Sequence, residues 1–306
     1  MTTARRAALT AGGTLVVLAL ATGCGSSADA GAPGAAPGTP TVVATTNVWG
    51  AVASAVAGPD AQVRSIISDP AGDPHSYEST PADAAAISRA DLVVANGGGY
   101  DTFVDKVTDA DAGAKARTIE AFDLRPDSAD DNEHVWFDPT TVKAVAGQVA
   151  DRLSAAEPAR AAALHQRATA FAAQVDRIAA QTATIGRARP GSRVISTEPI
   201  AHYLLRTAGI ADVTPQDFVA AVENESDPSA ASLVQVGDAL SARRVGALVF
   251  NPQTESPVVE GLRDRATGAG VAVVDVTETL PAGVTDYLTW VDGTRAALAK
   301  AVGAPA

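Results

Sequence analysis

PARAAALHQRATAFAAQVDRIAAQTATIG, residues 158–186, carries no proline after its first position and no glycine before its last. Apolar or small residues recur at Leu164, Ala168, Phe171, Val175, Ile178, Thr182 and Ile185, spaced alternately by four and three. That spacing draws one stripe down a helix. Proline in the first turn and glycine at the end are its expected punctuation. At 1.5 Å per residue the helix is roughly 40 Å long, enough to cross a whole domain. A coiled-coil dimer is the alternative, but one stripe of barely four heptads with alanines is thin for that. A single rigid rod packed along two lobes, in a monomer, fits better.

On either side of the rod the pattern alternates between strand and helix. Before it, Thr41–Thr46, Gln62–Ile67, Leu92–Ala95 and Arg117–Ala121 read as strands, with helices at Val48–Ala57, Asp83–Ala90 and Thr140–Ala155. After it, Arg193–Thr197, Val245–Phe250 and Val271–Val276 read as strands. The helices there are Ile200–Thr207, Ser229–Ala242, Ser256–Thr267 and a last one from about Val284 to Lys300. Such alternation predicts an α/β protein of two lobes, residues 41–157 and 187–306. Each lobe is a mainly parallel sheet flanked by helices, and residues 158–186 bridge them. Asn96-Gly97-Gly98-Gly99 lacks the spacing of a phosphate-binding loop and reads as a tight turn.

The 306 residues are 46% hydrophobic and 19% charged, a globular balance. The net charge is -12, and -14 without Arg5 and Arg6, which argues against nucleic acid and suits an affinity for cations. Arg5 and Arg6 precede Ala7–Thr22, small or apolar throughout, which reads as a secretory signal over residues 1–23. The signal ends at Leu20-Ala21-Thr22-Gly23-Cys24. This resembles a bacterial lipobox, with Ala21 where leucine is preferred and Cys24 as the lipidated residue. An ordinary cleaved signal with an incidental cysteine is the alternative. Cys24 is the one cysteine, so neither a disulfide nor a multi-thiolate zinc site can form within the chain. Residues 24–40, mostly Gly, Ala, Pro and Ser, read as a flexible tether. The expected location is therefore extracytoplasmic, anchored to the outer face of the cell membrane.

Four residues that could bind a metal stand where a parallel sheet places its sites. His75, Glu198 and Glu278 each follow a predicted strand, and His134 precedes a helix. Two imidazoles and two carboxylates suit a divalent first-row metal between lobes. His202, four residues after Glu198, shares its helical face and is an alternative or supporting ligand. The acidic run Asp127–Glu133 reads as a solvated loop, with a metal-gathering role as the alternative.

Four blocks carry a resemblance to a known family, over about Thr41 to Ala301. They are Asp73-Pro74-His75-Ser76-Tyr77-Glu78, His134-Val135-Trp136-Phe137-Asp138-Pro139, Ser196-Thr197-Glu198-Pro199 with Tyr203, and Thr277-Glu278-Thr279-Leu280-Pro281. The chain resembles the metal-specific solute-binding lipoproteins of bacterial ABC importers. The resemblance implies two lobes joined by one long helix, Zn2+ or alternatively Mn2+ as cargo, and a membrane permease as partner. It implies His75 and His134 as ligands of the first lobe, with Glu198 and Glu278 at the two ligand positions of the second. The chain lacks the histidine-rich loop of many zinc members. A metal-dependent hydrolase is the first rival, but four protein ligands close a site that catalysis would leave open, and neither HExxH nor GxSxG occurs. An adhesin-type surface lipoprotein is the second, and it would not need four converging ligands.

Overall fold

The computed structural model describes residues 38–305 apart from 73, 225, 255 and 256. The signal segment, Cys24 and the tether up to residue 37 lie outside the described residues, as does Asp73 of the first block.

In the first lobe, strand β1 (Thr41–Thr46) leads to helix α1 (Asn47–Ala57), β2 (Gln62–Ile67) to α2 (Pro81–Arg89), and β3 (Leu92–Ala95) to α3 (Phe103–Thr108) and α4 (Ala112–Ala116). Strand β4 (Thr118–Glu120) and α5 (Pro139–Ala156) complete it. The rod follows as α6 (Ala161–Ala188), entered through a 3-10 turn at Pro158–Arg160. The second lobe holds β5 (Arg193–Ser196), α7 (His202–Ala208), β6 (Ala211–Asp212), α8 (Gln216–Glu223), α9 (Ala230–Ser241), β7 (Ala247–Phe250), α10 (Pro257–Ala269), β8 (Ala272–Asp275) and α11 (Tyr287–Ala301). Both sheets are parallel throughout, in the orders β2-β1-β3-β4 and β6-β5-β7-β8. The two lobes thus repeat one topology, and the carboxyl ends of their strands are where ligands collect.

The residues that α6 buries are Leu164, Ala168, Phe171, Val175, Ile178, Thr182 and Ile185, the stripe read from the spacing. All but Thr182 join a core that also takes in Val52 of α1, Val145 and Val149 of α5, Leu204 of α7, and Tyr287 and Trp290 of α11. The rod is therefore packed by helices from both lobes, so a bend in it would open a core they share. Arg167 ties it further: Nε donates to Val56 O at 2.6 Å and Nη2 to Ala57 O at 2.8 Å, satisfying carbonyls at the end of α1.

Gly186 corrects the sequence reading. It does not end the rod, which runs on to Ala188, but lies where α6 crosses the end of α7. A Cβ there would sit 2.4 Å from Ala208 O, closer than any real contact. The residue marks a close approach of two backbones. The triple glycine after β3 turns as expected, with φ of +74°, +70° and +97° at Gly97, Gly98 and Gly99. The two-residue β6 and the helix α8 had no distinct sequence signal. Among the described residues, no helix is long and apolar enough to cross a membrane.

Candidate metal centre

His75 stands on the loop between β2 and α2, which two prolines and a hydrogen-bonded carboxylate brace. Thr80 caps α2 by accepting from Asp83 N at 3.2 Å, and Asp83 Oδ2 accepts from Thr80 N at 2.9 Å. The same Asp83 oxygen accepts from Tyr77 OH at 2.8 Å, and Arg64 reaches the other oxygen at 3.3 Å. Asp83 therefore gathers the loop, helix α2 and strand β2 onto one buried carboxylate. Burial pushes its pKa up, but these hydrogen bonds and Arg64 more than offset that, so it stays ionised.

His134 is placed by the start of α5. Asp138 caps that helix, accepting from Thr141 N at 3.2 Å and Thr141 Oγ1 at 2.6 Å, with Pro139 in the first turn. The 3-10 turn Val135–Phe137 before it is buried, and it carries His134 inward. Asn132 Oδ1 accepts from His134 N at 3.0 Å and lies 3.2 Å from His134 Nδ1. With the Nδ1 proton on that bond, Nε2 presents its lone pair to the site. Burial pushes the imidazole pKa down to about 4, so the ring is neutral and able to ligate at any ordinary pH.

The second lobe brings two carboxylates to the same place. Glu278, two residues beyond β8's last neighbour Val276, is 0% exposed. Its Oε2 lies 3.3 Å from His75 Nε2 and accepts from Tyr100 OH at 2.9 Å, and its Oε1 accepts from Asn251 Nδ2 at 2.9 Å. Burial alone would raise its pKa, yet the hydrogen bond and charge from His75, with help from His134 and Tyr100, hold it below the usual carboxylate range. Glu198, two residues past β5, accepts from Thr254 Oγ1 at 2.8 Å and from the same Asn251 amide. Burial first, and then the charge of Glu278, push Glu198 up to about 7. Glu198, His75 and His134 line one cavity of about 320 Å3 together with Glu133, Glu223 and Asp227.

His202 faces elsewhere. Its Nε2 pairs with Asp130 Oδ2 at 2.9 Å, an oxygen that also accepts from Arg206 Nη1 at 2.6 Å, in a neighbouring cleft. The acidic run also needs correction. Asp127 and Asp131 are exposed, but Asp130 is engaged by the second lobe, and Glu133 turns inward with Oε1 3.8 Å from His75 Nε2. Ligand atoms of His75, Glu133 and His134 all lie within 4.8 Å of one another. Burial, with repulsion from Glu278, pushes Glu133 up to about 7 against the opposing pull of His75.

Two amides had no sequence signal beyond following a strand. Asn251, fully buried at the end of β7, holds Glu198 and Glu278 side by side. Gln253 accepts from Glu278 N at 2.6 Å, and its Nε2 donates to Thr279 Oγ1 and to Gly72 O, each at 2.8 Å. The last bond crosses between lobes three residues from His75. Tyr203 OH to Asn132 O at 2.8 Å, Asn132 Nδ2 to Pro199 O at 3.2 Å and Leu280 N to Asn47 Oδ1 at 2.8 Å add further crossings. The lobes are clasped around the cavity, so the side chains that line it are held in place.

Comparison with known proteins agrees with the fold. The family described as zinc-uptake complex component A, periplasmic (ZnuA), matches residues 42–301. The zinc-binding protein TroA of Treponema pallidum is 25% identical over 247 residues, covering 78% of this chain and 79% of its own. The iron-binding protein YfeA of Yersinia pestis is 24% identical over 273 residues, covering 86% of each chain. A solved structure of TroA superposes with a TM-score of 0.72 at 22% identity, covering 87% of this chain and all of that one.

Proposed function

The chain belongs to the family of the periplasmic zinc-uptake component A, and from that premise we propose that it takes a divalent first-row metal between its lobes and hands it to the membrane permease of an ABC importer. Proteins of this family are metal-binding receptors for import, not enzymes. His75 and His134 supply two imidazoles from the first lobe, and Glu198 and Glu278 supply two carboxylates from the second. The observation that carries the assignment is the approach of His75 Nε2 to Glu278 Oε2 at 3.3 Å across the lobe boundary. Metal–ligand bonds of about 2.0–2.1 Å put tetrahedral ligands about 3.3 Å apart, so an ion fits between these atoms without moving either loop far. Two positive charges would also neutralise the two carboxylates that Asn251 now holds together.

Zinc is the ion we expect to bind more tightly in vitro, with manganese next, because the affinity order places zinc well above manganese at most sites of nitrogen and oxygen ligands. The relatives described above are a zinc-binding and an iron-binding protein, so they support the class of ion and leave the choice to measurement. Calorimetric titration of the purified protein tests the reading. One equivalent of zinc should bind, and at free metal of 1,000 times Kd linkage adds about 4 kcal/mol of stability. No binding and no rise in melting temperature with zinc, manganese or iron would refute it.

We assign residues 24–40 as a tether to a lipid on Cys24, which would keep the receptor beside its permease as a monomer on the outer face of the membrane. Cys24→Ser should release the protein from membranes. Retention equal to wild type would remove the anchor.

A further inference from the structure

The site has more donors than the four so far assigned, and we propose that Glu133 is a third ligand from the first lobe, one that narrows the preference for zinc over harder ions such as manganese or ferrous iron. This rests on the receptor reading above and adds a selectivity determinant to it. Among the described residues, His75, Glu133 and His134 form the one group of three whose ligand atoms all fall within 4.8 Å. The trio lies wholly in the first lobe, whereas Glu198 and Glu278 are both tied to Asn251 in the second.

The backbone of Glu133 is fixed while its carboxylate has room. Its carbonyl accepts from Asn96 Nδ2 at 2.9 Å and from Val135 N at 2.7 Å, and Asn96 is itself held by Trp49 Nε1 at 3.1 Å. The side chain is 25% exposed and lines the 320 Å3 cavity, which leaves space for it to swing the short distance to an ion beside His75.

The chemistry of the ions decides what such a ligand would do. Four protein ligands complete tetrahedral zinc, so a fifth oxygen adds little to it. Manganese favours oxygen donors in octahedral sets, so for it a fifth protein donor replaces a water. A third carboxylate therefore strengthens the binding of the harder ion more than that of zinc.

Competitive titration with zinc and with manganese, on wild type, Glu133→Gln, Glu133→Asp and Glu223→Gln, tests the proposal. Glu223 lines the same cavity and serves as a control for charge alone. Glu133→Gln should weaken manganese by about tenfold or more and zinc much less. Glu133→Asp should behave similarly, because it keeps the charge but withdraws the oxygen by one methylene. Cobalt-loaded Glu133→Gln should show the stronger visible bands of a four-coordinate ion, and wild type the weaker bands of a higher-coordinate one. Equal losses for both metals in Glu133→Gln and Glu223→Gln, with Glu133→Asp unchanged, would reduce Glu133 to a source of field and overturn the proposal. Unchanged affinities in both Glu133 variants would also overturn it, leaving the receptor reading intact. Only a wild type that binds neither of these metals nor iron would refute the receptor itself.

Discussion

Replacing Asn251 by alanine should separate the metal-free protein from the loaded one. The Asn251 amide is fully buried and donates to Glu198 Oε2 and to Glu278 Oε1. Hydrogen bonds to charged groups contribute about 1.5–3 kcal/mol each. Losing the bond to ionised Glu278 and part of that to Glu198 should cost the metal-free form about 3 kcal/mol. For a domain this size each kcal/mol moves the melting temperature by about 2–4 °C, so Asn251→Ala should melt on the order of 6–12 °C below wild type. In the loaded form the ion supplies positive charge to the same carboxylates, and the loss should be about half as large by the same reasoning. Calorimetric scans of both proteins with and without one equivalent of zinc give the four melting temperatures. The metal-induced rise should be larger in the variant. Equal losses in the free and loaded forms would show that Asn251 and the ion do not act on the same charges, and the donor set would have to be redrawn.

Other perturbations follow from the same contacts. Glu198→Gln should weaken zinc by about tenfold or more in calorimetry, whereas His202→Ala, whose ring is paired with Asp130, should leave it nearly unchanged; the reverse pattern would exchange their roles. Gly186→Ala forces a methyl to within 2.4 Å of Ala208 O and should destabilise by about 1–3 kcal/mol in denaturant melts; a stability equal to wild type would mean that the α6–α7 crossing yields freely. Glu133 and Glu198, pushed to about 7, must lose protons to ligate, so affinity should fall as pH drops from 8 to 6, with proton release seen in buffers of different ionisation enthalpy. The same raised values mean that metal-free stability is greatest below the ordinary glutamate pKa of 4.5 as far as these two groups are concerned, and is lost as pH rises through 7. A metal-free melting temperature that rises over that interval would contradict the placement of both carboxylates.

The architecture was legible because it is written in periods. The alternating four-and-three spacing in residues 158–186 named the seven residues that α6 buries, since an amphipathic helix has only one stripe to hide. Strands β1, β2 and β3 matched the reading to the residue, and β1 and β3 are short runs buried on both faces. Gly186 was misread because a glycine that ends a helix and one that admits a neighbouring backbone look alike in one dimension. Glu133 was read with its exposed neighbours because an acidic run gives no sign of which member turns inward. That direction was set by His134 and the buried turn after it. Asn251 and Gln253 were missed for a different reason: an amide acquires a role only from the groups that face it, and those groups are distant in the chain. The strand ends that carry them were in view, and polar residues there merit the same scrutiny as histidines.

One ion held by both lobes at once should carry donors from both in its coordination shell. X-ray absorption at the zinc edge, on protein loaded with one equivalent and compared with His75→Ala and Glu278→Gln, reads that shell. The shell should hold nitrogen and oxygen only, with two imidazoles in wild type, one imidazole lost in His75→Ala, and an oxygen lost in Glu278→Gln. A shell unchanged by either substitution would place the ion elsewhere and refute the site between the lobes.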